Sequence, residues 1–294
     1  MNQTLRLSII LPVDPSAVYQ AITHASGLQK WLTETARVSL SDGVFELWGR
    51  YLPGAPDRPV TKLAEAVDNR LLRFTWSYKT HTLPVTLELA SSNKGTILTL
   101  TQEIPDRPSG EASFADFWRL SFENLRRLLM HGSGPLFCDF STAHRREAIV
   151  TAQINKPPKE VFTGLVDPQQ LERYLADKAT VEPLVGGKID FGWEGGQGRA
   201  KGGCHGPIKI LELEPDHKLS YSWFFQEETV VTWVLDGSEG GTRLTLVHSG
   251  FGQDRSTDDY TVGWLKFVNS LKSMVEIGES WQEATVETVE RVVE

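Results

Sequence analysis

The sequence predicts an α+β protein made of two tandem copies of one unit, each a curved antiparallel β-sheet wrapped around a long C-terminal α-helix, with two short helices after the first strand. Residues 95–101, GTILTLT, and residues 241–247, GTRLTLV, are nearly the same strand written 146 positions apart. The same offset aligns Val85 and Thr86 with Val231 and Thr232, Leu89 with Leu235, Trp118 with Trp264, Leu125 with Leu271 and Gly132 with Gly278. A chain of 294 residues is also too long for one typical domain and comfortable for two.

The elements repeat in order. Each copy opens on a β-rich segment, LRLSIIL (5–11) and AIVTAQI (148–154). A helix start follows, with Asp14 as the expected N-cap, Pro15 at the first helical position, and Val18, Tyr19 and Ile22 at helical spacing. PPKEVFTGL (157–165) repeats it. A second short helix is signalled by Ser26 before GLQKWL (27–32) and by Asp167-Pro168 before QQLERYL (169–175). Strands come next, GVFELWG (43–49) matching GKIDFGW (187–193) and LLRFTWSY (71–78) matching KLSYSWFF (218–225). Two-residue alternation puts Leu219, Tyr221 and Trp223 on one face of their strand, and Leu244, Leu246 and His248 on one face of theirs.

Each copy closes with an amphipathic helix, apolar at Phe114, Phe117, Trp118, Leu125, Leu128 and Leu129 before Gly132, and at Tyr260, Trp264, Phe267, Val268, Leu271, Met274 and Val275 before Gly278. The expected boundaries are a first domain over 1–134, a linker over 135–146, and a second domain over 147–278. An acidic helical tail is expected over 279–294, with Trp281, Thr285, Val289 and Val292 near one face.

Composition narrows the function. With 40% hydrophobic residues, 23% charged residues and 9 Trp, each half can bury an aromatic-rich core. No apolar run is long enough for a membrane span or a secretory signal, so the expected location is cytoplasmic. Cys138 and Cys204 form no disulfide framework and no metal or redox motif, which fits a reducing compartment. The net charge of −8 comes from the second half, where 16 Lys and Arg face 24 Asp and Glu after residue 140. An acidic surface without basic clusters argues against nucleic acid and anionic membranes as partners.

The loop GWEGGQGRAKGGCHG (192–206) lacks the spacing of a phosphate-binding loop, and its Cys204-His205 pair lacks further metal ligands. No hydrolase triad, metalloprotease helix or dinucleotide fingerprint is present, so no cofactor and no metal are expected.

The order of elements, the LLRFTW and LSYSW strands, and above all GTRLTLVHSGF (241–251) followed by GWLKFVNSLKSMVEIG (263–278) resemble the START-like helix-grip superfamily (SRPBCC), and within it proteins related to the activator of the heat-shock protein 90 ATPase. The resemblance covers most of the chain twice and is diluted in the first copy. It implies two helix-grip domains and a cavity between sheet and helix. Its members include binders of apolar small molecules, aromatase or cyclase enzymes and co-chaperones.

Within that frame the expected pocket residues are Trp193, Tyr221, Trp223, Trp233, His248, Trp264 and Phe267 in the second copy and Trp48, Trp76, Gln102 and Trp118 in the first. The rings either line an apolar pocket or fill the space between sheet and helix. His248 points inward where the first copy has Gln102, and is either an acid, base or ligand contact or a hydrogen-bonded core histidine. The leading expectation is non-enzymatic binding of a small hydrophobic ligand. The alternatives are a chaperone-associated partner-binding protein and a cyclase or hydrolase-type enzyme using His248.

Overall fold

The computed structural model describes residues 3–54, 57–104, 113–130, 134–143, 146–193, 206–225, 227–238 and 240–290. They form two compact units, residues 1–143 with 284–294, and residues 144–283. Each unit has the predicted α+β architecture.

The first unit runs β1 (Gln3–Leu11), α1 (Pro15–Thr23), α2 (Ala25–Trp31), β2 (Thr35–Ser39), β3 (Val44–Trp48), β4 (Thr61–Val67), β5 (Leu71–Tyr78), β6 (His81–Ser92), β7 (Gly95–Ile104) and α3 (Phe114–Met130). The second repeats the order with β8 (Glu147–Ile154), α4 (Pro158–Val166), α5 (Pro168–Tyr174), β9 (Thr180–Val181), β10 (Ile189–Asp190), β11 (Gly206–Glu214), β12 (Lys218–Phe225), β13 (Glu227–Ser238), β14 (Gly241–Ser249) and α6 (Asp258–Ile277). A last strand, β15 (Thr285–Glu290), belongs to the first unit. The sheet orders are β15-β1-β7-β6-β5-β4 and β11-β12-β13-β14-β8, antiparallel throughout.

Alternation decides the faces. Leu5, Leu7, Ile9 and Leu11 of β1 are buried, as are Ala148, Val150, Ala152 and Ile154 of β8. Both faces turn toward the closing helix. In the second unit α6 also caps the outer edge of β8, where Thr257 Oγ1 donates to the Glu147 carbonyl at 3.0 Å and Lys272 Nζ donates to the Gln153 carbonyl.

Two side-chain hydrogen bonds recur in both copies and explain why the sequence repeats. Thr96 Oγ1 donates to the Val13 carbonyl at 2.6 Å, and Thr242 Oγ1 donates to the Lys156 carbonyl at 2.7 Å. The threonine of each GTxLTL strand thus fastens the sheet to the loop before the first helix. Gly95 is required beside it, because at φ +114° its Cβ would lie 2.2 Å from the Leu11 carbonyl oxygen. The second bond joins the two short helices: Trp31 Nε1 donates to Ala21 O at 3.0 Å, and Tyr174 OH donates to Gly164 O at 3.1 Å.

Four expectations need correction. Asp14 precedes α1 but its side chain makes no capping bond, whereas Asp167 accepts from Gln169 N and Gln170 N and caps α5. The second helix of the first copy begins at Ala25, with His24 rather than Ser26 near its cap. Residues 136–140 of the expected linker are held by the first unit: the Asn124 amide bonds both N–H and C=O of Leu136, Phe140 N donates to Arg50 O, and Cys138 is buried.

The tail is the fourth. It is not a helix but a 3₁₀ turn at Gly278–Ser280 followed by β15, with Leu5 opposite Thr288 and Leu7 opposite Val286. TVETVE is two-thirds β-branched, which favours extended backbone when an open strand edge is at hand. The chain ahead of it is pinned where Arg173 donates to the carbonyls of Gly278 (2.8 Å) and Trp281 (3.2 Å). Among the described residues no helix is long and apolar enough to cross a membrane.

Candidate functional site

The site in the second unit is built by three elements. β12 directs Tyr221 and Trp223 inward, β14 directs His248 inward opposite Val231 of β13, and α6 lays Trp264 across them. Trp264 Nε1 donates to His248 Nδ1 at 3.0 Å. An indole N–H can only donate, so Nδ1 carries the lone pair and the neutral ring holds its proton on Nε2. That proton points at Thr229 Oγ1, 2.8 Å away, and the Thr229 hydroxyl donates onward to the Trp223 carbonyl at 3.3 Å.

The first copy makes the same bond with different chemistry. Trp118 Nε1 donates to Gln102 Oε1 at 2.5 Å. Both pairs are 16 residues apart and buried. The inward polar position therefore accepts the indole N–H of the closing helix in both copies; the Gln102 Nε2 group has no partner among the described residues, whereas His248 Nε2 meets Thr229.

His248 is fully buried, and burial, with the Arg255 guanidinium as the smaller cause, pushes its pKa down to about 3. Phe251 and Tyr260 wall it in at ring distances of 4.5 and 4.9 Å. Burial likewise pushes the Tyr260 hydroxyl up to about 12. Both ring nitrogens of His248 are thus engaged, Nδ1 as acceptor and Nε2 as donor.

The other indoles can be followed one by one. Trp233 Nε1 donates to Tyr221 OH at 3.0 Å, and Trp193 Nε1 donates to Leu175 O at 2.9 Å. In the first copy Trp76 Nε1 reaches Pro53 O at 3.4 Å. Its counterpart Trp223, only 6% exposed, has no acceptor for its N–H among the described residues. Trp193 and Phe267 are half-buried and stack nearly parallel, 6.1 Å apart and 19° inclined.

The structure thus gathers Trp193, Tyr221, Trp223, Trp233, His248, Trp264 and Phe267 into one aromatic layer, and Trp76, Trp118 and Gln102 into the matching layer of the first unit. Trp48 stands apart, because on β3 the core-facing residues are Phe45 and Leu47. Sequence reasoning missed Thr229, Phe191, Phe251 and Tyr260. Phe251 was legible in HSGF (248–251), whereas Thr229 depends on the β12–β13 register. Arg199, Lys201, Cys204 and His205 of the glycine-rich loop lie outside the described residues.

Among the described residues no group of three metal-ligating side chains comes together. A separate groove of about 240 Å³ lies between α4, α5 and the end of α6, where the Arg173 guanidinium is bound to main-chain carbonyls.

Comparison with known proteins follows the duplication. The sequence model described as "Activator of Hsp90 ATPase homolog 1-like protein" matches residues 12–130 and again residues 155–276. No functionally curated protein matches. Among solved structures, protein MLL2253 from Mesorhizobium loti is 26% identical over 46% of this chain and 99% of its own, with a TM-score of 0.37. The Aha1 dimer from Colwellia psychrerythraea is 22% identical over 46% of this chain and 98% of its own, with a TM-score of 0.37. DynU16, described as a putative protein in the dynemicin biosynthetic locus, is 17% identical over 92% of this chain and 98% of its own, with a TM-score of 0.32.

Proposed function

We propose, for a chain that belongs to the activator of Hsp90 ATPase homolog 1-like family and carries two helix-grip domains in tandem, that the second domain binds a small apolar ligand without catalysing its conversion. One difference between the copies carries this reading. In the first, Phe117 of α3 is 2% exposed and its ring packs edge-on against Trp76 at 5.5 Å, plugging the aromatic layer. At the 146-residue offset α6 has Gly263, and nothing lies within 4 Å of where its Cβ would sit. The counterpart of Trp76 is Trp223, whose edge-on neighbour at 5.5 Å is Trp193, so α6 leaves open at Gly263 a position that α3 fills with a ring. His248, locked by two hydrogen bonds, supports binding rather than proton transfer.

Gly263→Phe tests this. A helix interior accepts Phe at least as well as Gly, so the variant is expected to fold. A fluorescent fatty-acid probe should bind the parent protein at one site and the variant at least tenfold more weakly. Unchanged binding in the variant, or none in the parent, contradicts the reading.

A second reading, partner binding, is favoured by a surface feature of the same unit. Two β-bulges in β11 leave Ile208 and Leu211 unpaired and exposed, and Leu184 and Val185 are exposed on the adjoining turn. That turn is bonded to β11 through Gly186 N to Ile210 O and Ile210 N to Gly187 O. The first copy has Ser41 and Ala64 in the positions of Val185 and Leu211, so the fold does not need apolar residues there. If this face serves a chaperone, Val185→Ser with Leu211→Ser should abolish stimulation of a bacterial Hsp90-type ATPase; absence of stimulation by the parent protein contradicts it.

A further inference from the structure

Each indole of the second aromatic layer has an acceptor except one. Trp264 donates to His248, Trp233 to Tyr221 and Trp193 to the Leu175 carbonyl, while the buried N–H of Trp223 has no acceptor among the described residues. A buried donor without a partner is costly, and the first copy avoids that cost by aiming Trp76 at the Pro53 carbonyl. Among the described residues Trp223 thus lacks both an acceptor and a counterpart of the Phe117 ring that packs on Trp76.

We infer that Trp223 Nε1 is the polar handle of the ligand site and that the ligand class is an apolar molecule carrying a carbonyl oxygen that accepts this N–H. This rests on the ligand-binding reading above and adds the chemistry that would be selected. The other polar groups of the layer are engaged, since His248 is bonded on both nitrogens and Tyr221 OH accepts from Trp233.

The test uses two probes of nearly equal shape, 2-acetylnaphthalene and 2-ethylnaphthalene, with each affinity measured calorimetrically and corrected for partition into octanol. The parent protein should prefer the ketone by about 3–10-fold, the range of one net hydrogen bond, and Trp223→Phe should erase the preference. In parallel, the ketone should shift the Trp223 indole N–H resonance, assigned in the unmutated protein through its own backbone connectivity, and the hydrocarbon should not. This second measurement is made on the unmutated protein, so it stands even if the variant folds poorly. Binding of both probes with no preference and no selective shift overturns the inference alone. Binding of neither overturns the ligand-binding reading and the inference together.

Discussion

Trp264→Ala is expected to cost the second unit about 3–5 kcal/mol, the range for removing a buried tryptophan, and to lower the urea midpoint with little change in slope. The indole is 3% exposed and packs edge-on or tilted against Trp223, Trp233, His248 and Phe267. Trp264→Phe separates packing from hydrogen bonding. It keeps an aromatic ring but strips His248 Nδ1 of its donor, and should cost about 1–3 kcal/mol. Trp118→Phe should do the same in the first unit by stranding Gln102 Oε1. A phenylalanine variant as stable as the parent at either position would show that the bond contributes nothing.

Acid should destabilise the protein through His248, and the sign follows from its buried neutral state. The folded pKa is lowered to about 3, by burial first and Arg255 second, while the unfolded chain takes up the proton near the ordinary histidine value of about 6.5. Below that value the unfolded state binds more protons. The stabilisation is complete above about pH 6.5 and is lost as pH falls toward 3, at up to about 1.4 kcal/mol per pH unit. His248→Gln keeps an acceptor for Trp264, as Gln102 does for Trp118, and removes the titration. The variant should match the parent within about 1 kcal/mol at pH 8 and be the more stable of the two at pH 4.5, by urea denaturation at both pH values. Parallel pH profiles would contradict this.

The repeat made the fold legible because a fixed offset aligns strand, helix and glycine at once. It also held more than pattern reading extracts. Gln102 and His248 look like a change of chemistry in a list of inward residues; only the pairing of each with a tryptophan 16 positions later shows one function in two forms. That pairing is a tertiary contact between strand and helix, yet Trp118 and Trp264 already stand at the repeat offset. Phe117 opposite Gly263 was likewise on the page, but a glycine in a helix says nothing until the ring it replaces is known to plug a core. The tail failed for a different reason: Trp281, Thr285, Val289 and Val292 fit a helical stripe, while TVETVE fits a strand equally. The outer edge of β1, which decides between them, lies nearly the whole chain away in sequence.

The central claim is that the polar position of the closing strand exists to receive an indole N–H, which makes His248 a neutral structural residue. Nitrogen-15 chemical shifts of the imidazole rings measure this directly. Between pH 5 and 8 the account predicts one histidine, absent from His248→Gln, that stays neutral with its proton on Nε2 and an unprotonated Nδ1. A His248 that titrates near 6.5, or carries its proton on Nδ1, would contradict it.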